Sequence, residues 1–148
     1  MLYKITLILL LGFISGISPD DDNVIVKEVE VKGSELKYTF SVTLESPDTG
    51  CNQYADWWEV ISADGKKLIY RRILAHSHVN EQPFTRNGGA VEIKQMQEVI
   101  VRAHMNNKGY GSKAMIGTVN KGFRPIVLDS GFGKSLEVAE PQPAGCAF

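Results

Sequence analysis

An all-β fold, an antiparallel β-sandwich of about seven to eight strands, is what this sequence predicts. Three observations predict it. Apolar residues recur with period two in one segment after another. Turn-forming residues separate those segments at short intervals. No segment of helical period runs beyond about two turns.

The chain opens with MLYKITLILLLGFISGISPD. One cation, Lys4, precedes an apolar run over 5–14, and Ser15, Gly16 and Ser18 follow. The run is shorter than the ~18 apolar residues that span a bilayer and has the form of a secretory signal. Residues 1–18 are therefore expected to be cleaved, after Gly16 or Ser18, leaving no stable membrane anchor and a secreted or periplasmic protein. No cysteine stands in this segment to take a lipid, so a lipoprotein is not expected. Residues 19–148 make one domain on the usual length prior, with an irregular tail from about residue 120 by its glycine and proline content.

Val24, Val26, Val29 and Val31 mark a first strand. LKYTFSVTL (36–44) alternates most strictly, with Leu36, Tyr38, Phe40, Val42 and Leu44 on one face. SPDTGCNQ (46–53) reads as loop. DWWEVIS (56–62) and KLIYRRIL (67–74) flank ADGK, whose Asp64-Gly65 pair is a hairpin signal. HSHVNEQPFTR follows, with Phe84 expected to plug the core and Arg86 to pair with Glu81. Asn87-Gly88-Gly89 reads as a turn before AVEI (90–93). EVIVRAHM (98–105) and KAMIGTV (113–119) are further strands around the loop NNKGYGS (106–112). FRPIVL offers one more edge strand before the tail.

Cys51 and Cys146 are the two cysteines. In an exported protein they allow one intramolecular pairing, a Cys51–Cys146 disulfide. Closing so long a loop contributes up to roughly 4–5 kcal/mol in the chain-entropy model. CxxC spacing is absent, which excludes zinc-ribbon and thioredoxin-type motifs. A formal net charge of −1 gives no electrostatic footprint for nucleic acid.

EVIVRAHMNNKGYG resembles strand F and the following loop of fibronectin type III and related immunoglobulin-like domains. DWWEVISADGKKL is similar to their strand C, and the likeness covers residues 34–119. The stretch HSHVNEQPFTR also resembles a motif in a group of small exported bacterial proteins without assigned activity. That second resemblance implies export and a discrete domain, and it brings no catalytic residue with it.

The fibronectin-like order implies that 67–74 and 98–105 run parallel on either side of 56–62. His76, His78 and His104 would then emerge at one end, two strand spacings or about 9–10 Å apart. Tyr54 and Asp56 fall between them, and Glu81 is close in sequence. His76, His78 and His104 with Asp56 or Glu81 are thus a candidate set for Zn²⁺ or Cu²⁺, whose chemistry suits imidazole and carboxylate ligands. The plainer reading is a hydrogen-bonded polar cluster, since alternation turns Arg102 and His104 to the outer face of the sheet.

GFGKS (131–135) lacks the first glycine of a phosphate-binding loop, the position held by Leu128. Asp129-Ser130-Gly131 has no nucleophile elbow around it. No catalytic residue is assigned. Adjacent Trp57 and Trp58 point to opposite faces, and one in the open would stack on a sugar. The expected function is a non-catalytic binding or structural role, with a working end formed by the loops 46–55, 75–83 and 106–112. The partner is a protein, a glycan or a metal ion. The alternatives are a transition-metal protein using the three histidines and a carbohydrate-binding module.

Overall fold

The computed structural model describes residues 22–148, so the leader 1–18 lies outside the described residues. Among the described residues nine strands follow one another: β1 (Ile25–Ser34), β2 (Lys37–Glu45), β3 (Ala55–Ser62), β4 (Leu68–Ile73), β5 (Phe84–Val91), β6 (Val99–Met105), β7 (Gly109–Tyr110), β8 (Lys113–Thr118) and β9 (Gly122–Val127). All pair antiparallel. One sheet has the order β1-β2-β5, the other β4-β3-β6-β8-β9, with β7 paired to β6. The count exceeds the seven or eight anticipated because the two-residue β7 forms inside the expected 106–112 loop, while β9 is the edge strand that FRPIVL offered.

The core lies between the sheets. β2 supplies Tyr38, Phe40, Val42 and Leu44, while Lys37, Thr39, Ser41, Thr43 and Glu45 alternate away from it. Facing them, Trp58 and Val60 of β3 meet Val99, Val101, Ala103 and Met105 of β6. Each fully buried Phe, Leu or Val contributes about 1.5–3 kcal/mol relative to exposure. Leu36 departs from the alternation read in the sequence. It occupies the β1–β2 turn with φ 66° and is half exposed.

The segment Asn87-Gly88-Gly89 is strand, not turn. Gly88 pairs with Phe40 and Asn87 with Ser41. A Cβ on Gly88 would stand 2.7 Å from the Tyr70 hydroxyl, and one on Gly89 would stand 2.6 Å from the Tyr38 carbonyl oxygen. Gly88 lets the two sheets approach closely and Gly89 lets β5 crowd its neighbour β2, the second use of a missing Cβ beside turn formation.

β3 and β6 are buried almost throughout, on both faces. Their outer faces are covered by the chain after β9. Leu128 and Leu136 pack on Ile61, Ile100, Ala114 and Ile116 as a second small core. A short 3-10 helix (Lys134–Val138) forms within this strap. Its far end is tied down by the Cys51–Cys146 disulfide, with a Cα–Cα distance of 5.6 Å, and by the Ala147 amide donating to the Ala75 carbonyl at 2.7 Å.

Candidate functional site

Two polar clusters flank the start of β3. The first lies on the outer face of the second sheet, under the strap. Register places Glu59 of β3 opposite both Arg71 of β4 and Arg102 of β6. Arg71 Nε donates to Glu59 Oε2 at 2.8 Å, and Arg102 Nε donates to Oε1 at 2.9 Å. All three side chains are buried. The remaining guanidinium donors turn outward to the strap. Arg71 donates to the carbonyls of Leu136, Ala139 and Pro141, and Arg102 to those of Phe132 and Gly133. Arg102 also lies 3.5 Å over the Tyr110 ring, and Arg71 lies 4.4 Å over Trp57. Burial, reinforced by the Glu59 carboxylate, raises the Tyr110 phenol well above its ordinary range.

His104 completes this cluster. Its Nδ1 meets Asp56 Oδ1 at 2.7 Å and its Nε2 meets Glu137 Oε1 at 3.0 Å. The ring stacks on Trp57 with centroids 3.6 Å apart. The guanidinium and imidazole groups are thereby engaged, and the arrangement works as a clamp on the strap.

The second cluster lies at the loop end. Asp48 Oδ1 accepts from the Ser46 hydroxyl at 2.7 Å and the Ala55 amide at 3.0 Å, while Oδ2 accepts from the His78 amide at 2.8 Å. One buried carboxylate therefore joins the end of β2, the start of β3 and the histidine segment. Asn106 ties in the third loop, donating to the Cys51 carbonyl at 2.9 Å and accepting from the Tyr54 amide at 3.0 Å. Four aromatic rings then follow one another from the surface inward, stacked at both ends of the row and tilted by 38° between the two histidines. Phe148 and His76 are 4.8 Å apart, His76 and His78 4.5 Å, and His78 and Phe84 3.7 Å.

His78 is 3% exposed, yet neither ring nitrogen has a hydrogen-bond partner. Its Nδ1 stops 3.9 Å short of Asp48 Oδ2. Residues 76–81 and Phe148 line an open pocket around it. Glu81 is held by Arg86 at 2.8 Å, and that bond keeps its carboxyl below the ordinary range.

The fold brings His76 and His78 together, whereas His104 and Asp56 share their contacts with Glu137 and Trp57. Among the described residues, no group of three or more His, Cys, Asp or Glu is arranged to hold a metal ion. The cause lies in the faces. His104 follows the outward alternation of β6, while His78 stacks on Phe84 of the inter-sheet core. Arg102 and His104 do face outward as alternation requires, but the strap buries them. Trp58 packs in the inter-sheet core and Trp57 lies under the strap, so neither tryptophan offers an open platform for a sugar.

Sequence reasoning missed Glu59, Arg71, Glu137 and Asp48. A partial signal existed, since Glu59 and Arg102 share the outer face of strands whose neighbours are strongly apolar. A charge in such a strand demands a partner and a cover. Asp48 carried no signal beyond ordinary turn chemistry.

Burial lowers the His78 pKa from its ordinary 6.5, with Arg86 and His76 adding to that effect and Asp48 and Glu81 opposing it. A depressed value means that the fold holds the neutral ring. Stability linked to His78 is then fully present above 6.5 and is lost as pH falls through the folded-state value. Melting temperatures followed between about pH 7 and pH 5 should fall more steeply for the wild type than for His78→Phe, which keeps the stack without the titration. Parallel curves would remove His78 from the acid response.

No protein-family profile and no solved structure matches the chain. A protein of Halomicrobium mukohataei named "Putative lipoprotein" is 42% identical over 101 residues, which cover 62% of this chain and 49% of that protein. The chain thus spans about half the length of the curated relative it matches.

Proposed function

We propose that this chain is an exported, non-catalytic binding domain that meets its ligand at the end formed by the loops 46–55, 75–83 and 106–112. The observation that carries the reading is His78, buried with both ring nitrogens unpartnered beside an open pocket. A buried polar group without a partner costs about 1–3 kcal/mol. Such a cost at a loop end, where a rigid β scaffold presents variable segments, is the mark of a place reserved for a ligand.

Export rests on three supports. They are the signal-like run at 1–18, the Cys51–Cys146 disulfide, which belongs to an oxidising compartment, and the name of the relative. What that name says of a lipid is said of that protein. Both cysteines of this chain pair with each other, and the leader contains none. The β4-β3-β6 adjacency supports the immunoglobulin-like reading of the sandwich, in which loops gathered at one end do the binding.

The test is a backbone-amide NMR titration of residues 19–148 with a defined panel: divalent transition-metal chlorides, common monosaccharides and short peptides. Shifts concentrated in 75–82 with any one member support the reading. A silent panel, or shifts confined to the opposite end of the sheets, overturns it.

A further inference from the structure

We propose that His76 and His78 form a two-nitrogen site for a divalent late first-row ion, Cu²⁺ or Ni²⁺ before Zn²⁺, with Asp48 as the positioning residue behind His78. The proposal rests on the binding-domain reading above and names the ligand class of its pocket. It differs from the convergence anticipated from the sequence, because His104 takes no part.

The ring spacing admits two imidazoles on one ion. With metal–nitrogen bonds of about 2.0–2.1 Å, each imidazole centroid stands roughly 3.2 Å from the ion. Two such rings at right angles have centroids about 4.5 Å apart, and at the tetrahedral angle about 5.2 Å. The His76 and His78 centroids are 4.5 Å apart. That spacing puts both rings within reach of one ion, and Cu²⁺, followed by Ni²⁺, stands highest in the affinity order for nitrogen ligands.

Asp48 supplies what lies behind the ligand. A metal-bound histidine almost always donates its other N–H to a carboxylate or carbonyl, which sets the tautomer and the ring direction. Asp48 is already immobilised by Ser46 and Ala55, and it accepts the His78 backbone amide. A small rotation of the ring closes the 3.9 Å gap between Nδ1 and Oδ2. Nε2 is then the nitrogen that faces the ion. Among the described residues no other group competes for it, since both ring nitrogens are unpartnered.

Access and remaining coordination follow from the surroundings. The His78 nitrogens are shielded, and the His76 ring borders them. That ring is half-buried, and its outer neighbour Phe148 is 74% exposed. Glu81 is engaged by Arg86, which leaves the other coordination positions to water or to a bound molecule. An ion with open positions would serve as the anchor through which the pocket grips an electron-pair donor.

The experiment is calorimetric titration of tag-free residues 19–148 with CuCl₂, NiCl₂ and ZnCl₂, with electron paramagnetic resonance of the copper form. One-to-one Cu²⁺ binding, a two-nitrogen hyperfine pattern and at least a tenfold weaker affinity in His76→Ala are expected. His76 is half-buried, so that variant keeps the fold, which its melting temperature verifies. Asp48→Asn should weaken binding by about 10–100-fold while the two-nitrogen pattern persists. Absence of Cu²⁺ binding, or binding that folded His76→Ala leaves unchanged, overturns the metal site. If the NMR panel still places a sugar or peptide at 75–82, the pocket reading survives that loss. If the panel is silent as well, both fall.

Discussion

Glu59→Ala is expected to destabilise the domain by about 3–5 kcal/mol, the usual consequence of removing one partner from a buried ionic group. Two guanidiniums depend on this carboxylate, and all three side chains are removed from solvent. Deleting the carboxylate leaves two buried cations 0–1% exposed facing each other with no anion between them. Glu59→Gln should lose less, because the amide oxygen still accepts one guanidinium N–H while the charge is gone. Urea unfolding measures both. If each variant stays within about 1 kcal/mol of the wild type, water or a counter-ion must reach the cluster, and the clamp is weaker than its geometry implies.

The same cluster sets a limit on redesign. Buried ion triads elsewhere can be replaced by apolar residues at little cost. Here Arg71 and Arg102 also satisfy the carbonyls of Phe132, Gly133, Leu136, Ala139 and Pro141. An apolar triad would orphan those oxygens at the sheet surface. Strap release, with exposure of Ile61, Ile100 and Leu136, is the outcome that follows.

The second large effect is expected from the joint replacement Cys51→Ser with Cys146→Ser. The pairing spans 95 residues, so its loss should lower stability by up to about 4–5 kcal/mol through the entropy of the unfolded chain. The local effect separates this bond from the arginine clamp. Residues 145–148 hold the histidine segment through the Ala147 amide and the Phe148 carbonyl, which accepts from the Ser77 amide at 3.2 Å. Hydrogen exchange should therefore quicken at 75–77 and 145–148, while amides near Leu136 stay protected by the clamp. Equal unfolding midpoints for oxidised and reduced protein would show that the strap is held by the arginines alone.

Legibility followed distance along the chain. The alternation of Tyr38, Phe40, Val42 and Leu44 is a local property of a strand with one buried face, and it was readable without any partner. The pairing of Cys51 with Cys146 was also readable, because two cysteines in an oxidising compartment have one way to pair. So was the outward direction of Arg102 and His104. The glycines at 88 and 89 were misread because a missing Cβ serves a turn and a close approach equally, and the local sequence does not say which.

The sequence by itself determined the all-β class and most strand positions, and it allowed one pairing of the two cysteines. Only the tertiary structure decided which side chains share an environment. Arg102 meets the carbonyls of residues 132 and 133, and His104 meets Glu137, across separations of about thirty residues. Period-two alternation sorts side chains into two faces and carries no record of what later covers a face. A strap recruited from beyond β9 turned an outward, nominally solvated face into a second interior. The stacking of His78 on Phe84 turned one histidine away from the other cluster and left its nitrogens without partners.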